Sequence, residues 1–307
     1  MKLRILFMSG ILMTVAGGVP AFAGYLEKQA VSQKGPEAVL DWTSGILEVV
    51  GRATAPDRGS AVQREIMAIE AARAMAYKHL AESLHGVRVQ AHTTVGNMAR
   101  VMQDVSTAVN GMVTGAVPVS ESVSWVSDIR DGSAVAAAPW AEVVLRICFD
   151  RSAPECASVP ETLYEGINLA QLLPMPHKTF GRSDAGRYLT DSYQDENYTG
   201  LVVDLDKQVF LPVLAPEIVT PDGKMVFAGR RVDSRILATH GPVRYAQTLE
   251  AARDARFVGN NPLILRARDV TEDNQIVIDP HDAAILVRTS LEDKDFLRLG
   301  KVVLVLP

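Results

Sequence analysis

The sequence predicts an α+β protein: two small mixed helix-and-sheet domains behind a cleaved signal peptide. Three observations lead there. Helix-like and strand-like stretches are interleaved without the strict alternation of a doubly wound parallel sheet. The chain has 307 residues, 48% of them hydrophobic, enough for about two ordinary cores. The first 23 residues have the order of a secretory leader.

That leader begins with Lys2 and Arg4, followed by an apolar stretch from Ile5 to Ala16. Gly17-Gly18-Val19-Pro20 then breaks the helix, and Ala21 and Ala23 supply the small side chains a signal peptidase needs. Cleavage is expected after Ala23. A membrane anchor is the rival reading, but the run falls short of the roughly 20 residues a span requires. No Cys stands at the cleavage point. No later stretch is long enough to span, so no integral membrane segment is expected after cleavage. The expected location is the periplasm, peripheral to the outer membrane.

The first domain is placed at residues 24–157. Residues 24–45 read as a lead-in, and "GILEVVGRATA" (45–55) as a strand. Ser60 is a candidate N-cap. Val62, Ile66, Ile69, Ala72, Ala76, Leu80 and Leu84 recur at helical spacing and define a core-facing stripe, with Gly86 as the stop. "VRVQAHTTV" (87–95) alternates like a strand. A weaker helix is expected over 97–113. "VPVSESVSWVSDI" (117–129) and "AEVVLRICF" (141–149) read as paired strands, with Asp131-Gly132 at a turn between them. Trp42, Trp125 and Trp140 are read as core residues.

Residues 158–195 form a connector rich in Pro, and the second domain covers 196–307. "YTGLVVDL" and "QVFLPVLAPEIVTPDGKMVFAGR" are strand-rich, with a turn at Pro221-Asp222-Gly223. "PVRYAQTLEAARDA" (242–255) reads as a helix with Pro at its start. "NPLILRARDV" reads as a strand, "IDPHDAAILVRT" as a short helix, and "KVVLVLP" as the closing strand.

Chemistry is sparse. The formal net charge is −5, from 31 basic and 36 acidic residues, with no long basic run. A nucleic-acid partner is therefore not expected. Cys148 and Cys156 are the only cysteines. An oxidising compartment favours a disulfide between them, and zinc is the weaker rival. His79, His85 and His92 lack the spacing of a zinc-protease helix and read as surface residues. "GRSDAG" (181–186) follows no clear strand, so it is not a nucleophile elbow. Asp204 and Asp206, two apart on a strand, are candidates for metal binding or acid–base work. Tyr188, Tyr193 and Tyr198 are the candidates for a ligand surface. No cofactor is expected.

The stretches "DWTSGILEVVGRATA", "AIEAARAMAYKHLAESLHGVRV" and "TTV" resemble the twenty-kilodalton outer-membrane lipoprotein family and the N-terminal domain of flagellar assembly protein T. Gly51, Ala71, Ala72, Arg73, Ala76, Leu80, Gly86, Val87 and Val89 carry the resemblance, over about a third of the chain. The lipidated Cys of those lipoproteins is missing. The second domain resembles the C-terminal part of uncharacterised envelope proteins, which implies an envelope location and supplies no catalytic residue. The expected function is thus non-enzymatic: a periplasmic structural or interaction protein, an accessory of an envelope assembly, with flagellar assembly as the specific case the resemblance suggests. Its expected partners are envelope proteins or further copies in a homo-oligomer or ring. A small-ligand or glycan-binding module is the alternative, and a metal-dependent hydrolase a third.

Overall fold

The computed structural model describes residues 32–35, 37–127, 129–130, 133–134, 137–150, 153–156, 178–189, 197–289 and 295–307. The expected signal peptide, the Asp131-Gly132 turn, Tyr193 and most of the connector lie outside them. Helices and several small sheets are mixed along the chain, giving the α+β class.

The N-terminal part is built on an antiparallel sheet. Its strands are β1 (Ser32–Gly35), β2 (Ala38–Asp41), β3 (Ile46–Thr54), β6 (Val117–Val126) and β9 (Ala138–Cys148), in the order β1-β2-β3-β9-β6. The expected lead-in therefore contributes two strands, since β2 pairs along β3 with Leu40 opposite Leu47. Helix α1 (Ala61–Gly86) lies across β3 and β9. Ser60 starts it with a full capping box: its hydroxyl accepts from the Gln63 N–H, and the Gln63 side chain accepts from the Ser60 N–H.

The core stripe of α1 is Ala68, Ala72, Ala76, Leu80 and Leu84. This corrects the expectation for Val62 and Ile66, which are 64% and 55% exposed. At about 100° per residue, Ile66 points nearly opposite to Ala68, so it cannot share that buried face. Gly86 is the last helical residue, and the cap comes from Val87, whose N–H donates to the Leu84 carbonyl.

Beyond α1 the expected strand at 87–95 is only a small hairpin, β4 (Arg88–Gln90) with β5 (Thr93–Thr94). The weaker helix is split into α2 (Val95–Ala99) and α3 (Gln103–Thr114). The long hairpin β6–β9 is as expected, and β7 (Ile129–Arg130) pairs with β8 (Ser133–Ala134) between its arms. The disulfide joins Cys148 to Cys156, with Cα atoms 5.9 Å apart and both residues fully buried. Cys156 sits in a single 3-10 turn, Pro154–Cys156.

On the sheet face away from α1, charged residues pair directly across β3 and β9. Arg146 Nε donates to Glu48 over 2.8 Å, and Arg52 Nε donates to Glu142 over 2.8 Å. Arg52 also reaches Glu37 at 2.7 Å. Glu48 and Glu142 are buried, so these pairs supply the partners that buried carboxylates require.

The C-terminal part starts with α4 (Arg182–Ala185). It contains a four-stranded parallel sheet, ordered β13 (Arg244–Ala246), β17 (Val302–Val305), β10 (Gly200–Asp204), β14 (Pro262–Arg266). Its two central strands are continuous apolar runs, because parallel strands are covered on both faces. Leu201 and Val203 join the main core, while Val202 packs with Val258 and Val303 on the other side. A second, mixed sheet has the order β12 (Met225–Phe227), β11 (Ile218–Val219), β16 (Ile276–Val277), β15 (Asp269–Val270). The remaining helices are α5 (Ser234–His240), α6 (Leu249–Ala252), α7 (Ala255–Val258) and α8 (Pro280–Thr289).

The helix expected over 242–255 is not formed. Arg244, Tyr245 and Ala246 pair with β17 instead, and the helical turn begins only at Leu249, capped by the Thr248 hydroxyl. Pairing with an apolar central strand outweighs the weak local preference of this segment.

Candidate functional site

The two parts meet along a packed seam. The Leu214 and Ala215 amides donate to the Arg88 and Val89 carbonyls at 2.9 and 3.0 Å, so a C-terminal segment runs beside β4. Glu217 accepts from Gln90 and from Gln275. Trp42 meets Tyr245 edge-on, with centroids 5.6 Å apart. The buried Tyr245 hydroxyl donates to the Val213 carbonyl and accepts from the Val213 N–H. Burial pushes this phenol well above its ordinary value.

At the end of β9, Asp150 lies between His240 and Arg244, with contacts of 3.2 and 3.1 Å. The Arg244 guanidinium also stacks 3.8 Å from the Phe257 ring centroid. The space between Trp42, Asp150, His240, Arg244 and Tyr245 is a small cleft of about 30 Å³. This cluster joins the two parts.

Among the described residues, those singled out in the sequence are not gathered into one site. Asp204 ends β10, while Asp206 is in the following turn with φ +49°. The Asp206 N–H donates to the Asp204 carboxylate at 2.9 Å, so the two do not stand side by side on a strand; one closes the turn of the other. Among the described residues no group of three His, Cys, Asp or Glu side chains is placed to hold a metal ion. His79 contacts the Val50 carbonyl at 2.7 Å, and His92 lies 3.3 Å from Asp273. Tyr188 packs beside Phe180, and Tyr198 is half-buried against the core. "GRSDAG" is the short α4. Its Asp184 accepts from the Gly181 N–H and binds Lys224, whose hydrogen bond lowers the carboxyl below its ordinary value.

Two surface features were not anticipated. One is a polar groove of about 380 Å³ between α1, α2 and α3, lined by His85, Thr94, Asn97, Arg100, Ser106 and Asn110 among others. The other is strand β6, the last of its sheet among the described residues. Pro118, a bulge between Pro118 and Ser120, and Glu121 interrupt its first half. Glu121 is bound by Arg73 at 2.7 Å, and that hydrogen bond raises the guanidinium above its ordinary value. From Ser122 to Val126 there is no proline, lysine or bulge.

Exposed apolar side chains flank that open half. Trp125 is 40% exposed on the side facing α1, where its Nε1 donates to Glu65 and Arg64 lies 5.2 Å from its centroid. Val126 and Trp140 are 52% and 42% exposed on the opposite face, Trp140 standing across from Ser124. This corrects the core assignment of Trp125 and Trp140; of the three tryptophans only Trp42 is buried. Trp125 stands on the outermost described strand beside Glu65 and Arg64 of α1, and Trp140 stands on the sheet face that α1 does not touch.

The fold thus defines an α+β protein whose sheet edge at β6 is open among the described residues. Residues 200–307 match a protein family described as the second domain of Treponema pallidum Tp0624. This range begins at β10 and covers the parallel and mixed sheets. No curated protein matches the chain.

Proposed function

We propose that the chain is a non-enzymatic interaction protein of the periplasm, an accessory of an envelope assembly, with flagellar assembly as the specific case. One observation carries this reading: the open half of β6 bears exposed Trp125 and Val126, with exposed Trp140 on the neighbouring β9, around strand backbone that is unpaired among the described residues. Exposed aromatics around a free edge are what a strand-adding partner needs, since main-chain bonds supply affinity and flanking side chains supply selectivity. The leader-like residues 1–23 support the periplasmic location. A photo-crosslinking residue at Ser122, with the cells fractionated after illumination, tests the proposal. The expected result is a discrete adduct in the envelope fraction. Its absence at Ser122, when an equivalent residue at exposed Glu70 behaves the same way, would sink the reading.

The polar groove favours a second reading, small-ligand binding. Its volume falls in the range of ordinary ligand clefts, and Asn97, Arg100, Ser106 and Asn110 supply donors. A thermal-shift screen of small sugars and carboxylates, repeated on Arg100→Ala, tests it. Stabilisation that survives Arg100→Ala would place the ligand elsewhere.

A further inference from the structure

We infer that the open half of β6 pairs antiparallel with the same strand of a second copy of this chain, about a two-fold axis through Ser124. The inference rests on the interaction reading above and identifies the partner. The open stretch runs from Ser122 to Val126, and Ser124 is its midpoint. A two-fold axis normal to the sheet keeps each side chain on its own face, so the strand must pair about a residue. Four centres lie within reach, and they are not equivalent.

Pairing about Ser122 draws Pro118 and the bulge into the new ladder, where proline lacks a donor and the bulge breaks the register. Pairing about Val123 sets the Glu121 carboxylate opposite Trp125, on the face where Arg73 already holds that carboxylate. Pairing about Trp125 stacks the two tryptophans at the axis and leaves Ser122 outside the stretch it should pair with. Pairing about Ser124 matches all five open residues with one another. Val123 and Trp125 then face each other twice, an aromatic with a β-branched residue, a favoured cross-strand combination. On the other face Val126 stands beside Ser122, and Trp140 of the neighbouring strand lies behind Ser124.

Charge agrees with this register. Glu121 of each copy falls opposite Ser127 of the other. The two glutamates are then six positions apart along the strand, roughly 20 Å, beyond the screening length of about 8 Å in physiological salt. The serines at 122 and 124 are small enough to let the second strand approach. The product is one continuous antiparallel sheet running through both copies.

Residues 24–307, which hold every described element, are the material for the test. Ser124→Cys puts a thiol on the axis, where it meets its own counterpart, and the native cysteines are already joined to each other. Mild oxidation is expected to give a disulfide-linked dimer, whereas Glu70→Cys on the exposed side of α1 gives none. Ser124→Lys sets two ammonium groups opposite each other. It is expected to weaken dimerisation, read by sedimentation velocity, by about tenfold or more, since like charges directly opposite one another are destabilising. An unchanged melting temperature shows that this variant folds. A chain that stays monomeric at every concentration, with Ser124→Cys no more reactive than Glu70→Cys, overturns the inference. A monomer that still forms an envelope adduct from Ser122 overturns self-pairing while the interaction reading stands. A dimer linked through Ser124→Cys without any envelope adduct supports self-pairing and removes the envelope partner.

Discussion

Gly51 on β3 meets Ala72 on α1 backbone to backbone: a Cβ at position 51 would stand 2.0 Å from the Ala72 carbonyl oxygen and 2.3 Å from the Ala76 nitrogen. The alanine spacing of the helix and the single glycine of the strand are therefore one feature. Alanines at 68, 72 and 76 bring the helix close to the sheet, and the missing side chain at 51 lets it touch.

Gly51→Ala should therefore be strongly destabilising although it adds one methyl group. Neither contacting atom belongs to a flexible side chain, so the helix itself must move. Overpacking of this kind costs about 1–3 kcal/mol, occasionally more. Chemical denaturation of the variant against the parent measures it. Loss of under a few tenths of a kcal/mol would show that α1 rides more loosely on the sheet.

Local signals made some of this architecture legible. The N-cap at Ser60, the strand through Gly51, the hairpin leading to Cys148 and the apolar β17 all rest on residues close in sequence. What was hidden depends on strand order. The Glu48–Arg146 and Arg52–Glu142 pairs are apparent only once β3 lies against β9 in register. Tyr245 looked helical until β17, nearly sixty residues on, recruited it. Trp125 and Trp140 have the composition of core residues; Trp125 is exposed because β6 ends the sheet among the described residues, and Trp140 because it stands on the face of β9 away from α1. The candidate site was therefore out of reach of periodicity, because strand order and the placement of α1 decide which of these residues is covered.

The seam offers a second test. The Tyr245 hydroxyl serves both the N–H and the C=O of Val213 in a buried position. Tyr245→Phe keeps the ring against Trp42 and leaves both backbone groups without that partner. The expected loss is about 1–3 kcal/mol, the cost of buried polar groups left unsatisfied. Equilibrium urea unfolding with an unchanged m-value would give the figure; unaltered stability would show that another group takes over the pairing.

Acid should loosen the attachment of α4. Lys224 bridges Asp184 at 2.7 Å and Asp222 at 3.1 Å, tying α4 to the turn between β11 and β12. Hydrogen bonding to Lys224 is the largest cause of the lowered Asp184 value, followed by the Gly181 amide. A carboxyl lowered in the folded state contributes its stability in full above the ordinary value of 3.8, and loses it as pH falls through the lower folded value. Lys224→Met should move the Asp184 titration, followed by carboxyl carbon NMR, upward toward 3.8. A titration that stays where it was would assign the effect to the Gly181 amide.

The disulfide yields the sharpest prediction, because it separates local from global stability. Cys148 ends β9 two residues before Asp150, which contacts His240 and Arg244 across the seam. The bridge to Cys156 closes a loop of sequence separation 8. Loop-closure entropy for so short a loop is worth about 2–3 kcal/mol. Cys148→Ser should therefore lower the melting temperature by roughly 5 °C for a chain of this size. The fold should survive, because the contact of α1 with β3 and the parallel sheet both lie away from the loop. The effect should concentrate near the strand end, so hydrogen exchange should rise at Phe149 and Asp150 before it rises at Leu47 or Val49. Denatured, unreduced parent protein should take up no thiol reagent. Two labelled thiols in that sample would show that the bridge does not form in solution, and exchange rising uniformly across β3 and β9 in Cys148→Ser would show that the loop supports the whole sheet rather than its end.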